Sequence, residues 1–169
     1  MNKPKILIDQ TDITKLEIDA IVNAANKTLL GGGGVDGAIH LAAGKRLKTA
    51  CRKLNGAETG EAKITPGFNL PAKYVIHAVG PYYTNGKRND DALLESAYQN
   101  SLSLAASQQL ESIAFPNIST GIYGFPKERA AEIAIKTVKN FLKSESSIKK
   151  VIFVTYSKKN HEIYTRLLG

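Results

Sequence analysis

The chain has 169 residues, 43% of them hydrophobic, and 23 Lys and Arg against 15 Asp and Glu give it a formal net charge of +8. A length and apolar content of this order suit one well-packed domain, expected over residues 1–169, and the single cysteine, Cys51, excludes an internal disulfide and a thiolate zinc cluster. No apolar run is long enough for a membrane span, and the N-terminal one turns polar at Asp9, too early for a signal-peptide core, so a soluble cytoplasmic protein is expected.

Lys5 to Asp9 and Ala20 to Ala24 are short Ile- and Val-rich runs bounded by polar residues, the pattern of strands, with Thr11-Asp12-Ile13-Thr14 a polar turn between them. After the glycine run Gly31 to Gly34, apolar residues at Val35, Ile39, Ala42 and Ala43 recur at helical spacing, and Gly44 supplies a stop. A second helix, Arg46 to Leu54, closes at Asn55-Gly56. Ala62 to Thr65 and Tyr74 to Val79 read as strands, the latter buried on both faces because it runs Tyr-Val-Ile-His-Ala-Val. Asp91 to Gln109 is a long amphipathic helix. Beyond it come a strand at Ser112 to Phe115, a loop at Ser119 to Phe125, a helix at Lys127 to Lys143, a strand at Val151 to Tyr156 and a closing helix at Lys159 to Leu168. Strands alternating with helices of this length need crossover connections, which predicts a three-layer α/β/α sandwich around a mixed, largely parallel sheet.

In such sheets ligands lie at the carboxyl ends of the strands, and two glycine-bearing loops fall there. Gly31-Gly32-Gly33-Gly34 cost backbone entropy, yet they let main-chain N–H groups face an anion and feed a helix N-terminus that favours phosphate. The alternative is a merely flexible loop. Ser119-Thr120-Gly121-Ile122-Tyr123-Gly124-Phe125 precedes the next helix and offers glycines and hydroxyls of the same use, so two cradles suggest a diphosphate. Tyr123 and Phe125 lie either against a sugar or base or as plugs in the core. Gly32, Gly34 and Gly37 satisfy G-x-G-x-x-G, but Asn26 to Leu30 intervene after the strand, and Asp36 sets a carboxylate close to the phosphates, so a dinucleotide site is disfavoured. Asp36 makes sense if it acts on a neighbouring water.

These segments, together with Ala20-Ile21-Val22-Asn23-Ala24-Ala25-Asn26, Thr59-Gly60-Glu61-Ala62, His77-Ala78-Val79-Gly80-Pro81 and Pro116-Asn117-Ile118-Ser119, resemble the macrodomain family in the expected order, and within it the MacroD-type hydrolases. The resemblance implies an ADP-ribose cleft in a macrodomain fold. In that cleft Asp12 accepts from the adenine amino group, Ile13 helps orient the ring, and Tyr156, where Phe is common, stacks on it. Thr11 stands where the family usually has glycine. Amides near Gly33, Gly34, Val35, Gly121, Ile122 and Tyr123, with Ser119, Thr120, Gly124 and Phe125 in the same loop, imply the diphosphate and distal-ribose site. Asn26 resembles the asparagine that orients the distal ribose, and Asp36 the acid that positions or activates the attacking water. The implied activity is hydrolysis of ADP-ribosyl esters, both O-acetyl-ADP-ribose and mono-ADP-ribose on Asp and Glu of modified proteins. No cofactor or metal is implied, and a monomer is the family expectation.

A non-catalytic reader of ADP-ribosylated proteins is the nearest rival, and Asn26 together with Asp36 argues for hydrolysis. Nucleic acid is a partner allowed by the charge but not favoured, because the basic residues are scattered, never more than two in a row as at Lys45-Arg46 and Lys149-Lys150. Ser119 lacks the G-x-S-x-G setting and Cys51, inside a predicted helix, reads as packing. His40 falls one turn after Asp36, where it either touches the site or is a partly buried structural histidine. His77 reads as core and His161 as surface, and the separated histidines give no metal-site spacing.

Overall fold

The computed structural model describes residues 3–169. Its strands are β1 (Lys5–Asp9), β2 (Ala20–Ala25), β3 (Ala62–Pro66), β4 (Tyr74–Val79), β5 (Ser112–Phe115) and β6 (Lys150–Val154). They form one sheet in the order β1-β6-β5-β2-β4-β3. Every neighbouring pair is parallel except β3 with β4, so the sheet is mixed, with one antiparallel edge strand. Parallel neighbours cannot be joined by a hairpin, and the helices do the crossing: α1 (Gly34–Ala43), α2 (Lys45–Arg52), α3 (Asp90–Ser107), α4 (Lys127–Phe141) and α5 (Lys158–Leu168). The expected α/β/α sandwich is found. Among the described residues no helix is long and apolar enough to cross a membrane.

The period of two along each strand divides the interior into two cores. Ala20 and Val22 of β2, with Ile76 and Ala78 of β4, face α3, α4 and α5. Their alternates Ile21, Ala25, Val75 and Val79 face α1 and α2 with Leu29, Ile39, Leu47 and Cys51. Cys51 is fully buried, as a packing role requires. The first core is organised by aromatic rings, Tyr98 against Phe115 at 4.9 Å between centroids and Phe153 against Tyr164 at 4.9 Å.

Element ends depart from the sequence pattern where capping outweighs periodicity. The second helix runs Lys45–Arg52 rather than to Leu54, because Leu54 N and Asn55 N bond back to Cys51 O and Arg52 O, and Asn55 turns left-handed at φ 59°. The last strand stops at Val154 rather than Tyr156. Ser157 accepts from Asn160 N and caps α5, which draws Tyr156 out of the ladder into a loop. From β5 the chain goes to β6 on one side; from β2 it goes by way of β3 to β4 on the other. The carboxyl ends of β2 and β5 are thus the switch point where such sheets open a crevice.

Candidate active site

The loop leaving β2 is shaped by Asn26. Its Oδ1 accepts from Thr28 Oγ1 at 2.7 Å and from the N–H groups of Thr28 and Leu29, each at 3.2 Å. Its Nδ2 donates to Gly31 O at 3.0 Å. An amide nitrogen carries two hydrogens, so one N–H of the half-buried Asn26 remains after the loop has been tied. The loop then enters α1 through Gly33, which caps the helix with no side-chain bond. The first N–H groups of a helix have no partner inside it, and here they open on an exposed surface, since a Cβ placed on Gly33 or Gly34 would meet nothing within 4 Å. Gly34 has φ 57°, which glycine adopts without a Cβ clash.

Asp36 follows in the first turn of α1 and is only 5% exposed. Its Oδ1 accepts from Asn23 Nδ2 at 2.8 Å and lies 3.5 Å from His40 Nε2, one turn on. Burial pushes the Asp36 carboxyl above its ordinary value, although the Asn23 bond and His40 pull it down. The same burial depresses His40, against the pull of Asp36. Desolvation therefore outweighs pairing for both groups, and near neutral pH the imidazole is uncharged. His40 is half-buried beside Asp36, and its ring lies 3.6 Å from where a Cβ on Gly31 would sit.

Gly32 shows how these parts converge. A Cβ built there would fall 3.2 Å from Asp36 Oδ2 and 3.6 Å from Asn26 Nδ2, so the carboxylate oxygen that Asn23 does not hold and the amide with a spare hydrogen border the same small space.

The second glycine loop closes the crevice from β5. Gly124 N donates to Gly121 O at 3.0 Å and Phe125 N to Ser119 O at 2.9 Å, a tight turn with Ser119 at φ 67° and Gly124 at φ 73°. Thr120 Oγ1 reaches Asn117 O at 3.4 Å. Gly121 and Ile122 are exposed, Ile122 at 94%. Of the two aromatics left open by sequence, Tyr123 is half-buried at the loop, while Phe125 is the plug. The Phe125 ring is 2% exposed and packs 5.1 Å from the Tyr83 ring, so its assignment as a substrate contact is corrected to one available to its main chain alone. Tyr123 stacks on Tyr82 at 3.8 Å between centroids, and Tyr83 N donates to Tyr123 O at 2.8 Å. Tyr82 had no sequence signal beyond its place after Pro81.

At the far end of the crevice Asp12 caps a single helical turn, Ile13–Lys15, with Oδ1 accepting from Thr14 N at 3.0 Å and Thr14 Oγ1 at 2.7 Å. These bonds hold its carboxylate below the usual value and leave Oδ2 free of them. Ile13 is buried in the α1–α2 core with Val35 packed at its edge, so its side chain serves packing and it is the Ile13 main chain that faces the crevice's end. Tyr156 is 88% exposed, presenting a bare aromatic face beside Gln10, whose Nε2 donates to Tyr156 O at 3.4 Å. His161 is half-buried, with Nδ1 3.0 Å from Thr155 Oγ1.

Sequence reasoning missed what stands behind Asp36. Asn23 and His77 sit opposite each other in the β2–β4 register, both fully buried, with Asn23 Nδ2 3.2 Å from His77 Nδ1. His77 Nε2 lies 3.0 Å from Thr65 Oγ1. The signal was available: a polar residue inside an apolar run of a strand buried on both faces needs a partner there. Among the described residues no group of three metal-ligating side chains is gathered.

A parallel-rich sheet with a glycine loop, a buried helical aspartate and a second glycine turn at its switch point is the arrangement of macrodomains. The Macro domain family model matches residues 22–134, and the chain belongs to that family. It is 57% identical to a macro domain-containing protein of Chlorobaculum tepidum, over 95% of this chain and 93% of that protein. It is 52% identical to the O-acetyl-ADP-ribose deacetylase of Escherichia coli K12, over 98% of this chain and 96% of that protein. Two solved structures share the fold closely. The Oceanobacillus iheyensis macrodomain with ADP aligns at TM-score 0.94 and 43% identity, over 99% of this chain and 91% of that one. The Trypanosoma brucei macrodomain in complex with ADP-ribose aligns at 0.92 and 40%, over 97% and 69%.

Proposed function

We propose that the protein, working as one macrodomain and as a monomer in the cytoplasm, binds ADP-ribose in this crevice and hydrolyses esters on its distal ribose. The substrates are O-acetyl-ADP-ribose and mono-ADP-ribose carried on Asp and Glu side chains. The observation that carries this reading is that Asp36 Oδ2 and Asn26 Nδ2 border one space beside Gly32, 3.2 Å and 3.6 Å from where a Cβ on that glycine would sit. A reader module has no use for a buried carboxylate next to a phosphate cradle, because two negative charges repel.

In this reading the free Asn26 N–H donates to a ribose hydroxyl and sets the ester, and Asp36 Oδ2 accepts from a water and takes its proton. The water oxygen bonds to the acyl carbon, the acyl C–O bond breaks, and Asp36 returns the proton to the ribose oxygen, so that ADP-ribose leaves with its hydroxyl restored, beside the free carboxylic acid. Amides of Gly33, Gly34, Val35, Gly121, Ile122 and Tyr123 hold the diphosphate, with the Ser119 and Thr120 hydroxyls and the Gly124 turn shaping that loop. Tyr123 encloses the distal ribose, Asp12 Oδ2 accepts from the adenine amino group, the Ile13 main chain borders the ring, and Tyr156 stacks on it. The raised Asp36 carboxyl is better matched to proton transfer near neutral pH than an ordinary one. Resemblance to the Escherichia coli deacetylase supports the substrate class.

The test is to incubate the protein with O-acetyl-ADP-ribose in the presence of chelator, follow ADP-ribose release, and measure ADP-ribose binding by calorimetry. Release by the wild type that collapses in an Asn26→Ala, Asp36→Ala double variant is the expected result. Tight binding without release would make the protein a reader. The four side-chain bonds that tie Asn26 into its loop give that residue a purely structural use on which a reader could rest.

A further inference from the structure

We infer that His77 is a positioning residue for Asp36, acting through Asn23 as a neutral imidazole that carries its proton on Nε2 and accepts at Nδ1. The inference rests on the hydrolytic reading and adds to it the device that aims the carboxylate.

An ionised carboxylate accepts hydrogen bonds and donates none. Asn23 therefore turns its NH2 group toward Asp36 Oδ1, at 2.8 Å, and keeps that orientation although its own Oδ1 is left unpartnered. The flipped amide would set two oxygens against each other at that distance. The same Nδ2 lies 3.2 Å from His77 Nδ1, so its second hydrogen points at the ring and Nδ1 must be the acceptor. The ring proton then sits on Nε2, where Thr65 Oγ1 at 3.0 Å and Cys51 Sγ at 3.6 Å receive it. The bonds agree in one arrangement only: the Asn23 amide makes Nδ1 the acceptor, Thr65 Oγ1 takes the Nε2 proton that this leaves, and the amide so held between ring and carboxylate fixes the rotation of Asp36 that leaves Oδ2 facing Gly32.

The groups around His77 keep it in this state. From α1, His40 faces it at 6.3 Å between ring centroids; from α2 comes Cys51, whose thiol burial pushes up to about 11. On β3, its register neighbour Lys63 sends its ammonium away to the carbonyls of Leu54 and Gly56. Burial depresses His77 to about 3, so the ring neither charges nor exchanges protons with Asp36 under working conditions. Its contribution is direction, and a carboxylate turned by a fraction of an ångström loses rate while a ligand held by loops 26–34 and 119–125 keeps its affinity.

Two measurements on the intact protein decide this. Long-range ¹H–¹⁵N NMR of the wild type should show His77 as the neutral Nε2-H tautomer, unchanged from pH 8 to pH 5. A His77 ring protonated on Nδ1 overturns the inference. Ester hydrolysis by His77→Phe and by Thr65→Val should show kcat lower by about tenfold to a hundredfold, with ADP-ribose affinity within about threefold of wild type, and Thr65→Ser should recover most of it. Should His77→Phe fail to fold, the Thr65 pair carries the kinetic test. Turnover in the wild type with kcat unmoved in the variants, or with affinity falling in step, overturns the inference alone. A wild type without turnover overturns the hydrolytic reading beneath it.

Discussion

The two sides of the sheet solve the same problem differently. Against α3, α4 and α5, the small buried hydroxyls are satisfied within their own helix, Ser101 Oγ donating to Ala97 O at 2.7 Å and Thr137 Oγ1 to Ile133 O at 2.7 Å, while the Tyr98 and Tyr164 phenols bond from one helix to another. Against α1 and α2, buried polar groups are linked across elements, Asp36 of α1 to Asn23 of β2, Asn23 to His77 of β4, and His77 to Thr65 of β3. A bond made one turn back on a helix forms wherever the helix forms and specifies nothing else. A chain of bonds through four elements exists in one arrangement only, and it costs stability whenever a link is missing. Both sides hold a buried core, and on the second a carboxylate is held within it by that chain of bonds.

That contrast can be pressed from its largest consequence downward. Phe115→Ala, which empties the centre of the aromatic core between Tyr98 and Phe153, should cost about 3–5 kcal/mol in urea unfolding and leave ADP-ribose affinity of the folded protein unchanged. A fall in affinity would mean the two sides are not separable. Acid should act on the other side. His77 titrates near 3 in the fold and near 6.5 in the unfolded chain, so between those values the unfolded state binds more protons, and stability falls as pH drops from about 6.5 toward 3. The loss is on the order of several kcal/mol. Urea midpoints from pH 7 to pH 4 should trace this slope, and His77→Phe should flatten it.

Smaller effects separate the two kinds of polar bond. Thr65→Val strips His77 of its oxygen acceptor and should cost about 1–3 kcal/mol, whereas Ser101→Ala removes a bond made to its own helix and should cost about 1 kcal/mol or less. The reverse ranking would sink the distinction. At the loop, Gly34 at φ 57° should make Gly34→Ala cost about 1–2 kcal/mol. Gly33→Ala, at φ −92° with open space at its Cβ, should leave the melting temperature nearly unmoved while weakening ADP-ribose binding measured by calorimetry.

How much of this was legible in the sequence depended on whether the cause was local. Strands such as Tyr74–Val79 and the glycine entry to α1 announce themselves through period and backbone freedom, and the spacing of Asn26, the glycines and Asp36 located the candidate site through its resemblance to macrodomains. Helix and strand ends were off by a residue or two because caps decide them, as Ser157 does for Tyr156. Phe125 and Ile13 lie in site segments, but their side chains turn inward, and only the packing of a loop against its neighbours tells which way a ring points. Asn23, His77 and Thr65 stand 54 and 12 residues apart along the chain. Their partnership follows from the β2–β4–β3 register, which no local pattern encodes.

The central claim is that Asp36 acts on the reaction and not on the grip. Its most direct test is kcat for O-acetyl-ADP-ribose measured beside Kd for ADP-ribose in wild type and Asp36→Asn. The account predicts kcat lower by about 10²- to 10⁴-fold, the range for removing a proton-transfer group, with Kd within about threefold. Equal turnover in the two proteins, or a loss of affinity as large as the loss of rate, would contradict it.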